Sequence, residues 1–164
     1  MSAVKKVLVV GGGIGGQSVA IALAQNGVEV EIAERLDVYN VYGVGIIQQM
    51  NALRALDAIG LADETMKQGY PYGQLKMNTA TGHFIGLAGA PPMGKYPSHN
   101  GISRRTLHEI MYERAIKLGV HYKMGTTVTH IENNKDDVTV TFTDNTKKTY
   151  DILIASDGIN SDMS

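Results

Sequence analysis

Five glycines crowd residues 11–16 in the spacing Gly11-x-Gly13-x-x-Gly16. Glycine-rich turns are common, and position makes this one informative. The apolar run Val7-Leu8-Val9-Val10 precedes it, and a helical pattern beginning at Gln17 follows. In that setting Gly11 permits the tight turn, Gly13 lets the backbone approach a pyrophosphate, and Gly16 lets helix and strand pack closely. The N-terminus of the helix that follows adds N–H groups and a partial positive charge suited to phosphate, and Ile14 and Gly15 of the turn are counted with the cofactor-binding residues. Eighteen positions after Gly16, Glu34 closes a second apolar strand. A carboxylate there can accept hydrogen bonds from both hydroxyls of an adenosine ribose, and it would repel a 2′-phosphate. The combination points to a dinucleotide and disfavours NADP in this site, but it does not choose between NAD and FAD.

The elements that must position these residues follow from pattern and punctuation. Residues 4–10 read as a strand buried on both faces, 17–25 as a helix closed by Asn26-Gly27, and 28–33 as an alternating strand. These make one βαβ unit with a right-handed crossover. A loop is expected over 37–45, then a helix over 48–59 with Met50, Leu53, Leu56 and Ile59 at helical spacing. Residues 72–88 read as an antiparallel hairpin turning at Thr79–Gly82, and 89–101 as an ordered loop. Ser103 is the expected N-cap of a helix reaching Leu118, with Leu107, Ile110, Met111, Ala115 and Leu118 on one face. Strands at 120–124, 127–132, 137–143 and 148–155 complete the chain, with a turn at Asp144-Asn145. The class is α/β, a Rossmann-like domain carrying antiparallel insertions. A plain NAD-binding domain would continue with further βα units, so this departure favours an FAD-type architecture.

Composition narrows the function. The 164 residues carry a net charge of -1, which argues against a general nucleic-acid binder held by phosphate neutralisation. No cysteine is present, so thiolate metal sites, disulfides and Cys nucleophiles are excluded, in keeping with an expected cytoplasmic location. No apolar run approaches a membrane span. His83, His99, His108, His121 and His130 show no metal-ligand spacing and read as surface or capping residues, so no metal is expected. The eight methionines read as core filling, and no Gly-x-Ser-x-Gly elbow supports acyl hydrolysis.

Several stretches carry a more specific likeness: GGGIGG at 11–16, Glu34-Arg35, Gly43-Val44-Gly45-Ile46, and Asn51-Ala52-Leu53-Arg54-Ala55-Leu56. Ile102-Ser103-Arg104-Arg105-Thr106-Leu107 and Asp157-Gly158-Ile159-Asn160-Ser161 extend it to essentially the whole chain. In these the sequence resembles the N-terminal half of the single-component FAD-dependent aromatic hydroxylases, which include the 4-hydroxybenzoate, salicylate and ubiquinone-pathway hydroxylases. The resemblance implies that residues 1–164 form an FAD-binding domain, with the glycines, Glu34 and Arg35 on the ADP half. It places Gly45 near the flavin side and implies that Arg104, at Arg-x-x-Leu spacing from Leu107, reaches the ribityl or phosphate region. Arg105 is the competing candidate. Val128 would offer backbone hydrogen bonds near the adenine. Asp157-Gly158 would serve FAD and the transient NAD(P)H, with a purely structural Asx-turn as the alternative.

The family reaction joins FAD, NAD(P)H and O2 to hydroxylate a small aromatic substrate, and the cofactor supplies the chemistry, so no catalytic acid or base is named. The 72–88 hairpin, with Tyr72 and His83, is the candidate contribution to the substrate-side sheet. A reductase or dehydrogenase using the same FAD half, and a non-catalytic nucleotide-binding module, stay open. Family members run to about twice this length, and Ser164 stands where the family pattern has Arg. The chain is therefore expected to be part of a longer flavoprotein fold, with apolar surface left uncovered and self-association as the physical cost.

Overall fold

A computed structural model describes residues 4–38 and 43–158. Tyr39 and Tyr42 of the expected loop, and Ile159, Asn160 and Ser161 after the Asp-Gly pair, lie outside that range. The chain divides into two compact units, one built from residues up to 41 together with 111 onward, the other from 42–110.

The first unit begins with β1 (Lys6–Val10), α1 (Ile14–Gln25) and β2 (Glu29–Ala33). Val7, Leu8, Val9 and Val10 are all buried, as a strand covered on both faces requires. Helix α1 starts three residues earlier than the pattern at Gln17 suggests, so Gly15 and Gly16 lie inside it. It ends at the C-cap Asn26, and Gly27 takes the left-handed φ of +79° that lets the chain turn back. After the second unit come β8 (His121–Lys123), β9 (Val128–Asn133), β10 (Val138–Phe142), β11 (Lys147–Tyr150) and β12 (Ile152–Ala155). The parallel sheet has the order β12-β1-β2-β8, and β11-β10-β9 form a separate antiparallel sheet. Leu8, Val10 and Ala33 pack with Val128, Val138, Val140, Phe142 and Tyr150 in one core cluster, joining the two sheets. Each fully buried aliphatic or aromatic side chain of this kind stabilises by about 1.5–3 kcal/mol.

The single strand expected over 148–155 is two strands in two sheets. Asp151 causes the break: its Oδ2 accepts the backbone N–H groups of Lys5 and Lys6, each at 2.7 Å, where β12 joins β1. A polar tie also joins the sheets. Glu31 of β2, buried, accepts hydrogen bonds from Tyr150 Oη at 2.9 Å and from Lys148 Nζ at 2.9 and 3.0 Å. Burial first, and then the bond to Glu31, push the Tyr150 phenol well above its ordinary pKa.

The second unit holds β3 (Gly45–Gln49), α2 (Met50–Ala58), α3 (Ala62–Gln68), β4 (Tyr70–Tyr72), β5 (Leu75–Asn78), β6 (Phe84–Ala88) and β7 (His99–Ser103). Strands β3-β7-β4 form one antiparallel sheet, and β5 and β6 pair as a hairpin. Two expectations fail here. Residues 45–49 are a strand rather than loop and helix start, and 99–103 are a strand rather than loop. Both strands bury polar residues, Gln48 on β3 and His99 and Asn100 on β7, which reverses the hydropathy that marks a strand. Asn100 Nδ2 donates to Gln48 Oε1 at 2.8 Å and to the Thr65 carbonyl at 2.9 Å. His99 stacks on Tyr72 at 5.1 Å, and His108 is also buried, so neither is a surface histidine. Helix α4 (Arg104–Lys117) runs from this unit into the first. Ser103 caps it, its Oγ accepting the Thr106 N–H at 3.0 Å, and Leu107, Ile110, Met111 and Ala115 are buried.

Candidate functional site

At the C-terminal ends of β1, β2 and β12 the first unit encloses a cavity of about 560 Å³. Its walls are Val10 at the end of β1 with Gly11 and Gly13 beyond it, Ala33 at the end of β2 with Glu34, Arg35 and Leu36 beyond it, Thr127–Thr129 at the start of β9, and Ser156–Gly158 after β12. The crevice beyond the carboxyl ends of parallel strands is where open α/β sheets bind ligands. Seven residues singled out from sequence meet here: Gly11, Gly13, Glu34, Arg35, Val128, Asp157 and Gly158. Ile14, Gly15 and Gly16 form the first turn of α1 beside it. Gly45 and Arg104 belong to the second unit, where Gly45 pairs with Ser103 and the Arg104 N–H donates to the Val44 carbonyl at 3.3 Å.

Gly11 and Gly16 have a steric reason to be glycine. Gly11 has φ +99°, and a Cβ there would lie 2.7 Å from the Ser156 carbonyl carbon and 3.0 Å from Asp157 Cα. A Cβ on Gly16 would overlap the Gly11 carbonyl oxygen. Gly13 differs, for it has φ -70° and nothing within 4 Å of where its Cβ would be. Gly13 therefore faces open space beside the cavity, where a bare backbone gives a ligand its closest approach. Among the described residues no side chain caps α1, and its first turn carries no acid.

Glu34 is held from both sides. Its Oε2 accepts the Gly12 N–H at 2.8 Å and its Oε1 the Leu36 N–H at 3.0 Å. Its own backbone is tied to the end of β8 through Lys123 and Thr126. An ionised carboxylate offers about four acceptor positions, so each oxygen keeps capacity for a hydroxyl. The residues present thus suit an adenosine diphosphate: backbone N–H groups at a helix start for the phosphates, a fixed carboxylate for the ribose, and a strand edge for the base.

Sequence reasoning missed Leu36, Thr127, Thr129 and Ser156 in the wall, as well as the buried Gln17. The Gln17 amide donates from Nε2 to the Gly12 carbonyl at 2.9 Å, and its Oε1 receives the Tyr122 hydroxyl at 3.4 Å. A polar residue within the expected apolar helix pattern was the available signal for Gln17. The wall residues carried none.

This fold and cavity define a dinucleotide-binding α/β domain of the flavoprotein type. The chain belongs to the FAD binding domain family, whose model matches residues 5–164. It is 34% identical over 158 residues to YetM, a candidate FAD-dependent monooxygenase of Bacillus subtilis (strain 168), with 96% of this chain and 43% of that protein covered. Identity to the 3-hydroxybenzoate 6-hydroxylase of Klebsiella oxytoca is 30% over 164 residues, covering 96% of this chain and 41% of that protein. The crystal structure of p-nitrophenol 4-monooxygenase PnpA from Pseudomonas putida DLL-E4 shares the fold, with a TM-score of 0.83 at 23% identity over 99% of this chain and 43% of that one. The chain therefore spans 41–43% of the length of these relatives.

Proposed function

We propose that the cavity holds the ADP half of FAD, and that the domain serves a flavin-dependent monooxygenase acting on a small aromatic substrate with NAD(P)H and O2. The observation that carries this reading is the convergence of Gly11, Gly13, Glu34, Arg35, Val128 and Asp157-Gly158 on one cavity. The names of the relatives supply the aromatic class. FAD, once bound, supplies the redox and oxygen-transfer chemistry. The chain's own residues bind and orient it. The amides of Gly13 to Gly16 face the phosphates, Glu34 accepts from the ribose, Thr127–Thr129 present backbone groups to the adenine, and Asp157 lies at the wall toward the pyrophosphate. Arg104 and Gly45 are assigned to the flavin side, and the β5–β6 hairpin to the substrate side. A cytoplasmic setting belongs to the same reading, in keeping with the need for NAD(P)H and a cysteine-free sequence.

Titrating the purified protein with FAD and with ADP, by calorimetry and flavin fluorescence, tests the binding assignment. Saturable binding of both, weakened in Glu34→Ala, is expected. Absence of binding by either ligand overturns it. NAD(P)H oxidation stimulated by a phenolic acid in the full-length protein, with hydroxylated product, tests the reaction. Oxidation without hydroxylation would favour a reductase.

A further inference from the structure

We propose that Gln17 is a positioning residue for the phosphate side of the cofactor site, acting through the Gly12–Gly13 peptide. The proposal rests on the reading of residues 11–16 as the ADP-binding turn. Gln17 is fully buried in the first turns of α1. A buried amide costs free energy unless it is hydrogen-bonded, whereas leucine would fill similar space without that cost. Here the amide is used at both ends, from Tyr122 on β8 and to the Gly12 carbonyl.

The geometry gives that contact its consequence. In a trans peptide the C=O and the following N–H point in opposite directions. Holding the Gly12 oxygen toward buried Gln17 therefore turns the Gly13 N–H away from the interior, and Gly13 is exposed and lines the cavity. Three consecutive glycines would otherwise allow this peptide to rotate at low cost. Gly12 is also held through its own N–H by Glu34, and the Gly13 carbonyl accepts the Gln17 N–H at 2.9 Å. One chain of hydrogen bonds thus runs Tyr122–Gln17–Gly12–Glu34–Leu36, linking the phosphate-facing turn to the ribose-facing acid.

The test compares ADP with adenosine, which shares the ribose and base but has no phosphate, on wild type, Gln17→Leu, Gln17→Met, Tyr122→Phe and Glu34→Ala. Gln17→Leu should weaken ADP about tenfold, the value of one well-made hydrogen bond to a charged group, and change adenosine less than about twofold. Tyr122→Phe should shift ADP in the same direction by less, and Glu34→Ala should weaken both ligands. In amide spectra, the Gly13 shift that ADP induces in wild type should shrink in Gln17→Leu. Should Gln17→Leu fail to fold, Gln17→Met and Tyr122→Phe carry the comparison. Unchanged ADP affinity in the glutamine variants, or equal losses for ADP and adenosine, overturns the positioning role alone. A wild type that binds neither ligand overturns the underlying site as well.

Discussion

Glu34 already holds two backbone N–H groups, so removing its carboxylate loosens the turn as well as deleting the acceptor proposed for the ribose. Glu34→Ala is expected to weaken FAD by about 1.5–3 kcal/mol, the range for hydrogen bonds to a charged group. Calorimetry that finds unchanged affinity would remove Glu34 from the site. The glycines divide by what surrounds them. Gly16→Ala forces a Cβ onto backbone and should lower stability by about 1–3 kcal/mol, read as a fall in the urea midpoint. Gly13→Ala meets open space at an ordinary φ, so its midpoint should stay near wild type while FAD affinity drops. The two arginines are separable too, because adjacent helix residues point about 100° apart. Arg104 lies against Gly43, its Cδ 3.0 Å from where a Cβ would stand. On the Arg-x-x-Leu match to Leu107, Arg104→Ala should lose more FAD affinity than Arg105→Ala, and the reverse order would mean that this register is wrong. Motif spacing singles out Gly11, Gly13, Glu34 and the Asp157-Gly158 pair in the sequence, and the fold brings them to one cavity. Gln17 and Tyr122 were not legible as a pair, because their contact spans 105 positions that only the folded sheet brings together.

Among the elements, β1, α1 and β2 were readable because their apolar residues sit where the periods of strand and helix require. Strands β3 and β7 were not, since Gln48 and Asn100 are buried and paired with each other while Ile47 is exposed. A hydropathy pattern reports burial, and it misleads wherever polar side chains are buried against each other in the interior. The division of 148–155 was hidden for a related reason. Asp151 looks like a polar strand position, but its carboxylate serves the start of β1 across 145 residues of sequence. Those two backbone N–H bonds hold its pKa below the usual carboxylate value. A depressed folded-state pKa contributes stability above the unfolded value of about 3.9, and that contribution is lost as pH falls through the folded value. Wild type should accordingly exceed Asp151→Asn in urea midpoint at pH 7, with the gap closing below about pH 4. A gap that does not shrink as pH falls below that value would assign the difference to packing instead.

For the molecule as a whole, the relatives are more than twice as long as this chain, and the hairpin of the second unit exposes Leu75, Met77, Phe84, Ile85 and Leu87. Coupled hydroxylation needs the flavin ring kept from water. A polypeptide limited to these 164 residues, supplied with FAD, NAD(P)H and phenolic acids, is expected to yield hydrogen peroxide at most and no hydroxylated product. Stoichiometric product would show that these residues, alone or self-associated, build the entire reaction chamber. The order of the strands also governs how the protein is made. The central strand β1 is flanked by β2, which follows within about twenty residues, and by β12, which pairs Val7 with Ile152. On a ribosome, β1 emerges first and waits through the synthesis of the entire second unit before its other neighbour exists. During that interval Val7–Val10 has an open apolar edge, the kind of exposed strand that nascent-chain chaperones bind and that aggregates when they are scarce. Such long-range parallel pairing is intrinsically slow to form. The cavity, walled in part by Ser156–Gly158, is therefore completed only after β12 and these residues have left the exit tunnel.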